Sequence, residues 1–221
     1  MSHCYFHAGS SAKRFGGIAE DYLDIHKWFD ASKRSTCDFR HRASRHHIEG
    51  VLWAEDVFGR SITNSDGIDV PVRVIGEQHI REDLGGEAPS LNDWLDQMET
   101  PSWTLSGNVH DVHSLSSIAA TRFGGLPSAY REIHEWFLEP RTYAFDPIKA
   151  LAIRHHSEGI FWCEETFGVT VQSTSGRKVP VRLIGELHVQ QMLGRIPTLE
   201  EWVRNINPTV WMNHGYRMEV K

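Results

Sequence analysis

The chain is written twice. Arg45-His46-His47-Ile48-Glu49-Gly50 returns 109 residues later as Arg154-His155-His156-Ser157-Glu158-Gly159. Arg14-Phe15-Gly16-Gly17 returns as Arg122-Phe123-Gly124-Gly125, and Ile25-His26-Lys27-Trp28-Phe29 as Ile133-His134-Glu135-Trp136-Phe137. Nine of 15 positions match between Arg45–Gly59 and Arg154–Gly168, and eight of ten between Val70–His79 and Val179–His188. The period lies well beyond the roughly 20–50 residues of solenoid repeats, so each copy must bury a core of its own. The boundaries read as 1–100 for the first unit, 101–117 for a serine-containing linker, and 118–221 for the second unit. A pair that arose by fusion of a homodimer is expected to pack about a pseudo-two-fold axis.

Within each unit the patterning reads as mainly helical α+β: two long helices, a β-hairpin and shorter C-terminal helices. The opening segment 1–17, with His3 and His7, reads as a loop. Ile18, Tyr22, Ile25 and Phe29 recur at helical spacing and predict a first helix over 18–33. The second helix is expected to run from an Asp38 cap to Phe58, and from Asp146-Pro147 to Phe167, each stopped by a glycine. On that helix the stripe Phe39, Ala43, His47, Val51, Ala54, Phe58 would carry His47 inward, with His46 beside Glu49. Asn64-Ser65-Asp66-Gly67 predicts a hairpin turn between strands 61–63 and 69–75, and a third helix is expected near Glu77. Ser90-x-x-Asp93 and Thr198-x-x-Glu201 read as capping boxes.

Composition narrows the class. A hydrophobic fraction of 40% is that of an ordinary globular protein, and the net charge of −6 argues against a nucleic-acid-coating surface. No apolar run approaches a membrane span. Three cysteines, Cys4, Cys37 and Cys163, show no zinc-ribbon or CxxC spacing, and the start has no signal-peptide pattern. A cytoplasmic, membrane-free protein is expected.

The 14 histidines carry the chemistry. His26 with Asp30 one turn on, His46 with Glu49, and His79 after the hairpin place imidazoles and carboxylates at matching points of the unit. Read as a divalent-metal site, the ligands are His46, His47, Glu49 and His79, with His26, Asp30, His46 and Glu49 as catalytic groups. Read as an anion pocket, Arg42, Arg45, Arg73, His41 and Asn64 would bind a phosphate or carboxylate. The second copy offers His134, His155, His156, Glu158, Arg182 and His188. There Leu138, Ala150, Leu151 and Ser173 replace Asp30, His41, Arg42 and Asn64, so the first copy is expected to be the functional one. The bland alternative is a network of core histidines and surface ion pairs. Gly16-Gly17 and Gly124-Gly125 are weak phosphate-loop signals and read as turns.

These motifs resemble a domain-of-unknown-function family of about the repeat's length, found in phage and bacterial genomes. The resemblance rests on His-x-x-His-His-x-x-Ser-Ser near the start, Ile-His-x-Trp-Phe-Asp-x-Ser-Lys, Phe-Arg-His-Arg-Ala-x-Arg-His-His-x-Glu-Gly, Asn-Ser-x-Gly, Val-Pro-Val-Arg and Gly-Glu-Gln-His-Val-x-Glu-Asp-Leu-Gly. Copy one matches at His7, Ser10, Ser11, His26, Trp28, Asp30, Lys33, Arg40, His41, Arg42, Arg45, His46, His47, Glu49, Asn64, Gly67, Arg73, Glu77 and His79. It implies a tandem copy of that domain in a phage or bacterial setting. Three functions are then weighed: a metal-dependent hydrolase of a phosphate-bearing small molecule such as a nucleotide, a non-catalytic protein that sequesters an anionic nucleotide, and a structural or interaction protein.

Overall fold

The computed structural model describes residues 4–36, 38–105 and 110–213. His3 and Cys37 lie outside them. The chain divides into two compact units. Among the described residues, the first runs to Gln97 and takes in 206–213; the second is Met98–Asn205. The divisions therefore fall elsewhere than at 100 and 118. Much of 101–117 is helical rather than linker.

The first unit begins with α1 (Cys4–Phe15) and α2 (Glu20–Asp30). The segment expected to be a loop is thus mostly helix, with His7, Ala8 and Ser11 on its buried side. On α2 the predicted apolar face holds, since Tyr22, Ile25, His26 and Phe29 are buried. Ile18 precedes the helix and is 53% exposed, so it is no part of the stripe. A 3-10 turn, Ala31–Arg34, extends α2.

The expected long second helix is broken at the repeated motif. Asp38 accepts from Arg40 N–H and caps a 3-10 turn, Phe39–Ser44. The helical path is left at Arg45 (φ −145°, ψ −14°), His47 is extended (φ −152°, ψ 168°), and α3 (Ile48–Phe58) starts anew. His47 is its N-cap, with Nδ1 accepting from Gly50 N–H at 2.9 Å. Both predicted glycine stops hold, at Gly59 and Gly168. The hairpin β1 (Ser61–Thr63) and β2 (Asp69–Pro71) is antiparallel, pairing Ser61 with Pro71 and Thr63 with Asp69. Pro71 ends the strand, because it fixes the geometry from which α4 (Val72–Leu84) begins. The helix expected near Glu77 therefore starts five residues sooner and contains Arg73. α5 (Leu91–Asp96) opens with the predicted Ser90/Asp93 capping box.

The second unit repeats this plan. It contains α6 (Ser102–Leu105), α7 (Val112–Phe123), α8 (Arg131–Leu138), α9 (Pro140–Tyr143), α10 (Pro147–Leu151) and α11 (Ser157–Phe167). The hairpin β3 (Thr170–Gln172) and β4 (Lys178–Pro180) follows, then α12 (Val181–Leu193) and α13 (Leu199–Val203). Each core is built on aromatics that are fully buried: Tyr22, Phe29 and Trp94 in the first unit, Tyr130, Phe137 and Trp202 in the second. Among the described residues no helix is long and apolar enough to cross a membrane. The fold is mainly helical α+β, present twice.

The motif break has a steric cause that both copies share. A β-carbon at Gly50 or Gly159 would drive into the backbone carbonyl of Arg45 or Arg154. In a continuous helix, glycine to alanine would stabilise by about 1 kcal/mol. Here Gly50→Ala and Gly159→Ala should each destabilise by roughly 2 kcal/mol or more, as overpacking against backbone does. Chemical denaturation checks this, and a raised unfolding midpoint in either variant would contradict the broken-helix geometry.

Candidate metal centre

Three separate segments of the first unit bring four donor atoms together. Asp30 ends α2, His46 sits in the extended turn before α3, and His79 and Asp83 lie one turn apart on the buried face of α4. One atom from each can be chosen so that all four lie within 4.8 Å of one another. His46 Nε2 is 3.1 Å from His79 Nε2 and 3.1 Å from Asp83 Oδ2. Asp30 Oδ1 is 3.6 Å from His79 Nε2 and 3.8 Å from His46 Nε2, and Asp83 Oδ2 is 3.9 Å from His79 Nε2. The edges of a tetrahedron of ligands around zinc measure about 3.3 Å. The cluster is close to that size.

The histidines form a column. Ser11 Oγ meets His26 Nε2 at 2.9 Å, His26 Nδ1 meets His79 Nδ1 at 3.0 Å, and His79 Nε2 meets His46 Nε2. Phe29 stacks on the His79 ring, with centroids 5.1 Å apart. Burial pushes His26 down to about 2 and His46 down to about 3, so both imidazoles are neutral at physiological pH. Burial opposes the charge on Asp83, yet hydrogen bonds from His46 and His7 hold its carboxyl well below the usual range. Burial likewise opposes Asp30, and the contact with His79 and the charge of Lys33 keep it ionised. A neutral His46 imidazole beside ionised carboxylates is the protonation pattern that a divalent cation requires.

Around this cluster stands a ring of cations. Lys33 Nζ is 2.6 Å from Asp30, Arg42 Nη2 3.1 Å from Asp83, and His7 Nε2 3.3 Å from Asp83 Oδ1. His7 Nδ1 also meets Glu82 Oε2 at 2.6 Å. Burial lowers the His7 pKa, but hydrogen bonds to Asp83 and Glu82 outweigh it and raise it to about 9.

In the second unit the column persists without the carboxylates. His134 Nδ1 meets His188 Nδ1 at 2.9 Å, and His188 Nε2 meets His155 Nε2 at 3.0 Å. Phe137 stacks on His188. Leu138 stands where Asp30 is, Met192 where Asp83 is, and Leu115 where His7 is. Burial drives His134 down to about 4 and His155 to about 3. An imidazole column is thus compatible with an apolar surround.

The structure sorts the sequence-derived residues. Asp30, His46 and His79 meet in the cluster, and His26 adjoins it. His41 is buried, with Ser32 Oγ 2.9 Å from Nδ1. Arg42 reaches the cluster but faces Asp83. His47 and Glu49, read as ligands, are not there. His47 caps α3 and packs edge-on against Trp53, while Glu49 accepts from Leu91 N–H at 2.7 Å. His156 and Glu158 repeat both arrangements, toward Gly159 and Leu199. Arg45 lies over the Trp28 ring at 4.1 Å and donates to the Trp28 carbonyl. Arg73 is half exposed and pairs with Glu55, as Arg182 does with Glu164. Asn64 shapes its own turn, accepting from Asp66 and Ile68 N–H, and ties it to Phe15 O and Tyr22 Oη.

Asp83, which lies within the last of the family motifs, and His7 were given no site role from the sequence. The available signal for Asp83 was its i, i+4 spacing from His79, which places both on one helical face. It was hidden because α4 was expected to start late and be short. Cys163 is buried, and burial pushes its thiol up to about 12, which leaves it protonated and unreactive.

Two outcomes follow from this placement. His47→Asn should preserve the α3 cap, and with it the cluster's metal uptake, whereas a ligand role for His47 would abolish uptake. In chelator-treated protein, His7 holds its proton more tightly folded than unfolded. That stabilisation is complete below about pH 6.5 and is lost as pH rises through about 9. The melting temperature should fall across that window, and His7→Gln should flatten the fall. An unchanged slope in the variant would contradict the assignment.

Comparison with known proteins gives one kind of match. Residues 2–104 and residues 110–212 each match the model of a domain of unknown function, DUF6915. No curated protein and no solved structure matches the chain. The two matches together cover nearly the whole sequence, and the chain belongs to the DUF6915 family as a tandem pair of its domain.

Proposed function

We propose that the first unit is a metal-binding domain with one buried divalent transition-metal ion, held by Asp30, His46, His79 and Asp83. The observation that carries this is the convergence of two imidazole and two carboxylate donors from three segments. The second unit sharpens it: with the same histidine column, that unit has replaced both carboxylates by Leu138 and Met192. Carboxylates are not needed to pack the column, so their presence in the first unit calls for another reason.

A nitrogen–oxygen donor set without thiolate suits zinc, iron or manganese. Hydrogen bonds behind the ligating rings support the assignment. With both Nε2 atoms turned to the ion, His79 Nδ1–H donates to His26, and His26 in turn donates to Ser11, which fixes ring orientation. Four protein donors complete a tetrahedral zinc shell, the pattern of a structural site rather than one that keeps a position for substrate. The ion would join α2, the turn before α3, and α4. The arginines expected to clamp a phosphate are engaged elsewhere, Arg45 on Trp28 and Arg73 on Glu55. The geometry therefore favours a structural ion over a phosphate-ester hydrolase or a nucleotide-sequestering pocket.

The test is reconstitution of chelator-stripped protein with zinc or cobalt. One ion per chain is expected. Asp83→Asn and His79→Ala should each weaken affinity by more than about 100-fold, beyond the roughly 10–100-fold typical of outer-shell changes. His188→Ala should leave stoichiometry unchanged. Protein that takes up no ion, or whose uptake is indifferent to Asp83→Asn, would refute the proposal.

A further inference from the structure

The two units exchange their final segments. Trp94…Met98…Trp103 and Trp202…Ile206…Trp211 are the same stretch of the repeat, written at equal spacing in each copy. The first unit nevertheless ends at Gln97 and resumes at Ile206, while Met98–Asn205 forms the second. The chain thus changes unit just after the capping-box helix in both repeats.

Each borrowed segment is built into its host. In the first unit, Asn207 N–H donates to Gln97 O at 2.8 Å and Arg40 Nη1 to Ile206 O at 3.0 Å. Trp211 meets Trp94 edge-on at 4.7 Å, and Ile206 and Met212 are buried. In the second unit, Glu99 N–H donates to Asn205 O at 2.8 Å, and Trp202 Nε1 to Met98 Sδ at 2.9 Å. Met98 and Trp103 are buried there, and α6 packs on α10. The 3-10 turn Trp211–Asn213 packs in the same way on the 3-10 turn Phe39–Ser44.

The segment in the first unit also reaches the residues that hold the cluster. Arg42 Nη1 donates to Met212 O at 3.3 Å, and its Nη2 faces Asp83. Trp94, under Trp211, donates from Nε1 to His46 O at 3.0 Å. Two of the four donors are thus held through side chains that rest on residues 211–212.

We infer that the second repeat, stripped of its own carboxylates, supplies the segment that completes the first unit's metal centre, and that Trp211 is a positioning residue for His46. The surface that receives the segment is accordingly one for a second copy of this domain. A single-repeat form would fill it by trading C-terminal segments within a homodimer. The metal part of this inference rests on the proposed function.

The test uses matched substitutions in the full chain, Trp211→Ala and Trp103→Ala, which remove equivalent indoles from the two units. Both should lower the melting temperature. Only Trp211→Ala should weaken zinc affinity, measured by chelator competition, by about tenfold or more. Equal affinity changes in the two variants, or none in Trp211→Ala, would overturn the positioning role. Amide hydrogen exchange reads the segment exchange without reference to metal. Trp211→Ala should speed exchange in 39–47 and 79–84, and Trp103→Ala in 147–156. The opposite assignment would overturn the exchange itself, and a wild-type chain that binds no ion would overturn only the metal reading.

Discussion

A file of three imidazoles meeting nitrogen to nitrogen runs through the core of each unit. A neutral ring offers one donor and one acceptor, so buried rings in a file can pair end to end. His26, His79 and His46 do this in the first unit, and His134, His188 and His155 in the second. Burial disfavours a charge on His26 and His46 in the first unit and on all three rings in the second, and a phenylalanine stacks on each central histidine. What differs is the surround. In the second unit the flanking positions are apolar and the column is core. In the first, two carboxylates turn it into a donor set.

Buried carboxylates must be compensated. Lys33, Arg42 and protonated His7 do so around Asp30 and Asp83. Asp30, 9% exposed, is the least buried of the four donors. The repeat separates frame from site without any further comparison. Features present in both copies are frame: the histidine cap of α3 and α11, the glycine under the motif carbonyl, and the arginine over tryptophan. Features confined to the first copy are the carboxylates, His7 and Arg42.

Much of this was legible in the sequence. The tandem organisation, the mainly helical α+β class, the capping boxes and the buried face of α2 follow from repetition and periodicity. Asp30, His46 and His79, which the fold brings together, were among the residues that the sequence singled out. The rest was hidden for physical reasons. Periodicity carried the helix through Arg45-His46-His47, because apolar spacing says nothing about a carbonyl that only glycine admits. His47 and Glu49 looked like ligands but serve the start of a helix and the chain before α5, roles that a motif of charged residues does not announce. The small, polar face of α1 masked a helix. The segments 98–105 and 206–213 are alike in local sequence, so nothing in either shows which unit it joins.

The central claim is that a divalent ion sits among two imidazoles and two carboxylates in the first unit alone. The most direct measurement is an anomalous difference map from crystals grown with zinc and recorded at the zinc edge. One peak per chain, within about 2.0–2.2 Å of His46 Nε2, His79 Nε2, Asp30 Oδ1 and Asp83 Oδ2, is expected. No peak at that point under saturating zinc, or an equal peak beside His155 and His188, would contradict it.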